Sequence, residues 1–103
     1  MFNPEMMKKY AEVGEKVQEL QQELSATEIE CATKDGGVVV KVTGTQVPLS
    51  VTVSDSLVTQ GADKVSAELS AALKQAHAKS GTYSQQKMAK MYEDLGLGAP
   101  PPQ

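Results

Sequence analysis

With 103 residues, 40% of them apolar, and 10 basic against 13 acidic side chains for a net charge of -3, the chain has room for one folded domain and too little net charge for compositional disorder. A single Phe and no Trp leave few large core anchors, so sharing a core with a second copy is the default expectation. All the basic residues are Lys, which argues against bidentate guanine readout, and one Cys with one His rules out a disulfide staple or a zinc-ligand set and fits a reducing compartment.

Asn3 followed by Pro4 predicts a helix start, because Asn caps free amides and Pro suits the first helical position. Met6, Tyr10, Val13, Val17, Leu20 and Leu24 then recur at the alternating four- and three-residue steps of a heptad seam. Such a seam wants a long partner helix, and it is assigned here to the contact between two copies. Gly14 within it suggests close approach by another backbone.

After Ser25 the period becomes two. Ile29, Cys31 and Thr33 alternate with Glu28, Glu30 and Ala32, and Asp35, Gly36 and Gly37 supply turn chemistry. Val38, Val40 and Val42 then alternate with Val39, Lys41 and Thr43, and Leu49, Val51 and Val53 with Ser50, Thr52 and Ser54. The pattern predicts a three-stranded antiparallel sheet with one apolar face for helices to cover and one polar face for water. Its longest run of large apolar residues, Val38 to Val40, is far below the roughly 20 residues of a membrane span. Met1 to Met7 holds an acid and a proline where a signal peptide would be basic and then apolar, so a cytoplasmic chain without membrane insertion is expected.

Ser54 to Gly61 reads as a turn. Helical periodicity resumes at Val65, Leu69, Ala72, Leu73 and Ala76, and the apolar stripe then moves about a quarter turn to Met88, Met91 and Leu95. This predicts a long helix whose outer half leaves the core, bent or re-phased near Gly81. The fold class is therefore α+β, in the order α-β-β-β-α, with one domain over residues 1–95 and a disordered Gly/Pro-rich tail over 96–103.

Catalytic groups are sparse. His77 lies near the edge of an apolar stripe and reads as a solvent-edge or packed histidine, while Cys31 points to the buried face as a small apolar residue. Gly96 and Gly98 have no strand before them and no helix after, so they are not a dinucleotide-binding turn. The chain is read as no enzyme, with no cofactor, metal or small-molecule substrate. A more informative feature is the stripe Lys79, Tyr83, Gln86, Lys87 and Lys90, which spans about 100 degrees of one helix face and suits phosphate contacts that read no sequence. On the first helix, Lys8, Lys9 and Lys16 form a weaker group. Glu5 before Lys9 and Glu12 before Lys16 favour intrahelical pairs there, and Glu15, Glu19 and Glu23 make the later turns repel a polyanion.

The order helix, three strands, long helix, with the run Val38 to Thr43, the stretch GTQVPLSVTVSDSLV from Gly44 to Val58 and AALKQAHAKS from Ala71 to Ser80, resembles the YbaB/EbfC family of nucleoid-associated proteins. The likeness extends to the Gln-rich KVQELQQEL of the first helix and to the tail, and it is greatest toward the cyanobacterial and plastid branch. It implies a homodimer with helical arms projecting like tweezers, binding double-stranded DNA with little sequence preference at the nucleoid, or in the plastid stroma of a plant or alga. By position, the arm residues are Lys8, Lys9 and Lys16 with Lys79, Lys87 and Lys90. The chain departs from the family in having no arginine. The plastid branch is also associated with thylakoid protein targeting, which implies an alternative: a scaffold that holds a protein partner through Met88, Met91 and Leu95 and does not depend on DNA.

Overall fold

A computed structural model describes residues 3–98 and opens, as the Asn3-Pro4 pair predicts, with a capped helix, α1 (Pro4–Ala26). Asn3 Oδ1 accepts the Met6 amide at 2.7 Å, which satisfies one of the donors a helix start leaves free. Strands β1 (Glu28–Ala32), β2 (Val38–Thr43) and β3 (Pro48–Val53) follow, joined as one antiparallel sheet in chain order. The pairing Ile29 to Val42 and Cys31 to Val40, then Val40 to Val51 and Val38 to Val53, aligns the apolar set on one face.

Both hairpins close with the residues their geometry needs. In the first, Gly36 takes a φ of 73° and Asp35 Oδ1 accepts the Gly37 amide at 3.1 Å and the Thr33 hydroxyl at 3.2 Å. Those donors, led by the Gly37 amide, hold the Asp35 carboxyl below its ordinary value. In the second, Thr43 and Val47 close a three-residue loop by a 2.8 Å backbone bond, with Gln46 in the left-handed region at φ 66°. Gly44 in that loop donates its amide to Leu24 O at 2.9 Å and Thr27 O at 3.1 Å, seating the end of α1 on the sheet. A Cβ on Gly44 would stand 2.9 Å from Leu24 O, so only glycine admits this approach.

The segment read as a turn contains a single helical turn, α2 (Asp55–Val58), capped by Ser54 Oγ on the Leu57 amide at 3.1 Å. Its Leu57 drops into the core, an anchor that turn-like composition concealed. The last element, α3 (Ala62–Asp94), is the single long helix expected and runs unbroken through Gly81. Gly81 faces the Gln46 side chain, whose Nε2 would lie 3.1 Å from an added Cβ. Beyond α3, Gly96 and Leu97 donate back to Glu93 O and Tyr92 O and close the helix; residues 99–103 of the tail, with its three prolines, lie outside the described residues.

Ile29, Val38, Val40, Val42, Leu57, Ala72 and Ala76 form the core, with Cys31, Val53, Val65, Leu69 and Tyr83 packed around it. The small side chains Ala72, Ala76 and Ser80 let α3 lie close on β1 and β2. Coverage of the whole apolar face, expected from its alternation, stops there. Leu49 and Val51 on β3 remain 54% and 45% exposed. One helix, about 10 Å across, spans roughly two strands set about 4.8 Å apart, so the third strand is left open. Among the described residues no helix is long and apolar enough to cross a membrane.

Candidate functional site

Past Ser80 the outer half of α3 leaves the sheet, and α1 accompanies it. The two helices run antiparallel: Lys9 Nζ donates to Leu95 O at 2.6 Å near one end, and Lys87 Nζ lies 3.5 Å from Glu23 Oε1 toward the other. Together they make a two-helix arm, and the molecule extends 66 Å by 22 Å by 19 Å. The arm answers the question of what the heptad seam meets. Leu20 and Leu24 are buried inside the protomer, and Val13 and Val17 are half-buried, so the long partner helix is α3 of the same chain. Met6 and Tyr10, near the arm's end, stay exposed, and among the described residues nothing beyond α1's own backbone lies within 4 Å of where a Cβ on Gly14 would stand.

The other side of the arm groove consists of α3 residues that the moved apolar stripe selects. Met91 and Leu95 line a cleft of about 440 Å³ between the helices, and Met88 is half-buried. Met91 and Leu95 are, like Met88, half-buried.

The lysines have specific surroundings. Lys16 pairs with Glu19 at 3.3 Å, one turn ahead, and not with Glu12 behind it. Lys9 turns to the Leu95 carbonyl and not to Glu5. Lys79 reaches the sheet and donates to Glu30 O at 2.8 Å. Lys87, besides its contact with Glu23, sits 5.6 Å over the ring of Tyr83, which is itself half-buried against the core. Lys8, Gln86 and Lys90 are exposed. Within the cleft Lys16, Lys87 and Lys90 are interleaved with Glu12, Glu19, Glu23 and Asp94, so that groove is mixed in sign. Exposed pairs of this kind are worth about 0–1 kcal/mol, little enough for a phosphate to displace the carboxylate.

The signal that a reading by individual lysines passes over is the absence of acid. From Leu69 to Tyr92, helix α3 carries Lys74, Lys79, Lys87 and Lys90 and no carboxylate. Lys79, Lys87 and Lys90 fall on one face of that stretch, while Lys74 faces elsewhere, into a second cleft of about 410 Å³ with His77, Leu73, Gln46, Pro48 and Val42. His77 is exposed, its Nε2 3.3 Å from Gln46 Nε2, and its carbonyl accepts from the same amide at 3.0 Å. Cys31 is half-buried and its thiol donates to Gln75 Oε1 at 3.5 Å. Among the described residues no group of three or more His, Cys, Asp or Glu is placed to hold a metal ion.

Residues 1–95 match the sequence model of the YbaB/EbfC DNA-binding family. A nucleoid-associated protein of Prochlorococcus marinus (strain MIT 9211) is 32% identical over 96 residues, which cover 93% of this chain and 84% of that protein. A nucleoid-associated protein of Gloeothece citriformis (strain PCC 7424) is 36% identical over 93 residues, with 90% and 82% covered. A nucleoid-associated protein of Synechocystis is likewise 36% identical over 93 residues, with the same coverage.

Proposed function

The chain belongs to the YbaB/EbfC DNA-binding family, and from that premise we propose that it is a non-enzymatic nucleoid protein that binds double-stranded DNA as a homodimer, through lysines on its helical arms and with little sequence preference. The observation that carries this reading is the stretch of α3 from Leu69 to Tyr92, which holds lysines and no carboxylate. Lys79, Lys87 and Lys90 lie on one face there, with Gln86 exposed among them. Ammonium groups neutralise phosphates without reading bases, and the chain has no guanidinium with which to clamp a guanine edge.

On α1 the contacts fall to Lys8, Lys9 and Lys16, because the following turns carry Glu19 and Glu23 and repel a polyanion. An overall charge of -3 is compatible with this, since over a screening length of about 8–10 Å local charge outweighs the net value. Lys87 and Lys79 exchange an exposed carboxylate and a carbonyl for phosphate oxygens.

Fluorescence anisotropy on two unrelated duplexes across a salt series tests the proposal. Three lysines of α3 from each of two protomers give roughly six phosphate contacts, which contribute about -5 to the slope of log K against log salt, and the α1 lysines steepen it further. Lys87→Gln with Lys90→Gln removes four of those contacts and makes the slope shallower by about 4 on both duplexes. A wild-type slope near zero, or a double variant that binds as wild type does, overturns the assignment.

A further inference from the structure

We propose that the outer face of α1 docks on the same face of a second copy of the chain, the two helices antiparallel, so that one arm is joined to another along a surface that DNA contact leaves unused.

Helix α1 divides its circumference into three. The stripe of Val13, Val17, Leu20 and Leu24 faces the rest of the protomer. Every charged residue of α1, from Glu5 to Glu23, falls within about 120 degrees to one side of that stripe. The remaining sector carries no charge along the whole helix. In it Met7, Ala11, Gly14, Gln18, Gln21 and Ser25 follow one another at steps of four and three residues, and all are exposed. That spacing keeps them in line against a second long helix.

Two features name the occupant. Gly14 is costly in a helix interior, yet among the described residues nothing beyond the helix's own backbone lies within 4 Å of where its Cβ would stand, so the room it leaves is room for a neighbour outside the protomer. The second feature is self-complementarity. In an antiparallel pair centred at position 16, Met7 lies across from Ser25, Ala11 from Gln21 and Gly14 from Gln18, a short side chain against a long one at every level. A parallel pair instead sets Gln18 on Gln18 and Gly14 on Gly14, which crowds one level and leaves a gap at the other. Duplex DNA does not suit this sector, which has no ammonium to offer a phosphate. Lys8, Lys9 and Lys16 stand in the charged sector, so a joined arm keeps them for DNA. With Met7 its one long apolar side chain the contact is weak and concentration-dependent, and it gains where copies lie side by side on a duplex.

Sedimentation velocity on the full chain without DNA, over a concentration series, compares wild type with the double variant Ala11→Gln, Gly14→Gln. The variant sets long side chains against long ones at two levels without changing charge, and circular dichroism checks its folding. Wild type is expected to rise with concentration toward twice the mass of the variant, which does not rise. The variant's own mass, 11.0 kDa or about 22 kDa, reports separately whether the dimer proposed for DNA binding forms. Independently, Met7→Cys and Ser25→Cys, each in a Cys31→Ser background, are treated with a short bis-maleimide. Mixing the two is expected to give a linked pair that neither gives alone, because like positions stand about 27 Å apart along the paired helices. Equal masses for wild type and the double variant, no added linked product on mixing, or linkage of Met7→Cys to itself overturns the pairing. The double variant keeps the wild-type salt slope on DNA; a slope near zero in both overturns the DNA assignment and not this contact.

Discussion

Gly44→Ala is the sharpest test of how α1 is fixed to the sheet. Glycine-to-alanine exchange at a compatible site stabilises a fold by about 0.4–1 kcal/mol, because the unfolded chain loses freedom. At Gly44 the new Cβ meets Leu24 O at 2.9 Å, Leu24 Cδ2 at 3.0 Å and Leu24 Cα at 3.2 Å, two of them backbone atoms that cannot swing aside. Overpacking of this kind costs about 1–3 kcal/mol. The shift it forces also stretches the Gly44 amide bonds to Leu24 O and Thr27 O, each worth about 0.5–1.5 kcal/mol. The net expectation is a loss of about 2 kcal/mol, or roughly 10 °C in Tm for a domain of this size. Gly14→Ala is the control, since among the described residues nothing beyond the helix's own backbone lies within 4 Å of the added Cβ and a helix-interior glycine costs about 1 kcal/mol against alanine. Urea titration at fixed protein concentration should therefore move the two midpoints in opposite directions. A Gly44→Ala protein as stable as wild type would mean that α1 does not sit against the β2–β3 loop.

Other expectations concern the core and the first hairpin. Leu57→Ala should cost about 2–5 kcal/mol by urea titration, because the side chain of this one-turn helix is almost fully buried and its loss leaves a cavity. Ser80→Ala should cost about 1 kcal/mol, the worth of the buried 2.7 Å bond that its hydroxyl donates to Thr43 O. The Asp35 carboxyl is depressed chiefly by the Gly37 amide, so its contribution is complete above the ordinary aspartate range and disappears as pH falls through the lower folded value. The stability gap between wild type and Asp35→Ala should accordingly be widest above the ordinary aspartate range and narrow as pH falls through the lower folded value, and a gap that does not narrow in acid would contradict that linkage.

Much of the fold was legible because each element declares itself over a short span. The Asn3-Pro4 cap, the alternation in β2 and the Asp-Gly-Gly turn are local chemistry, and the structure places them where that chemistry requires. What stayed hidden concerns pairing between elements. A heptad stripe shows that a helix needs a partner without saying which, and here Leu20 and Leu24 find it in their own chain. Alternation likewise marks the inner side of β3 without revealing that one helix is too narrow to reach it. The turn-like composition of residues 54–61 concealed Leu57, since a single capped turn is too short to show a period. For the lysines, spacing gives a face but not a neighbour: the destinations of Lys79 at Glu30 O and Lys9 at Leu95 O depend on chain positions far away.

The fastening of α3 to the β2–β3 loop has a mechanical consequence. Ser80 bonds the Thr43 carbonyl and Gln46 bonds the His77 carbonyl at the level where the helix departs from the sheet, so the arm is a cantilever rooted at that point. Doubling it with α1 stiffens the span against bending, and the remaining compliance grows toward the free end near Lys8 and Leu95. A load applied there is delivered as torque to a buried serine and a three-residue loop, so amide exchange should be slowest at the root and quicken outward along both helices.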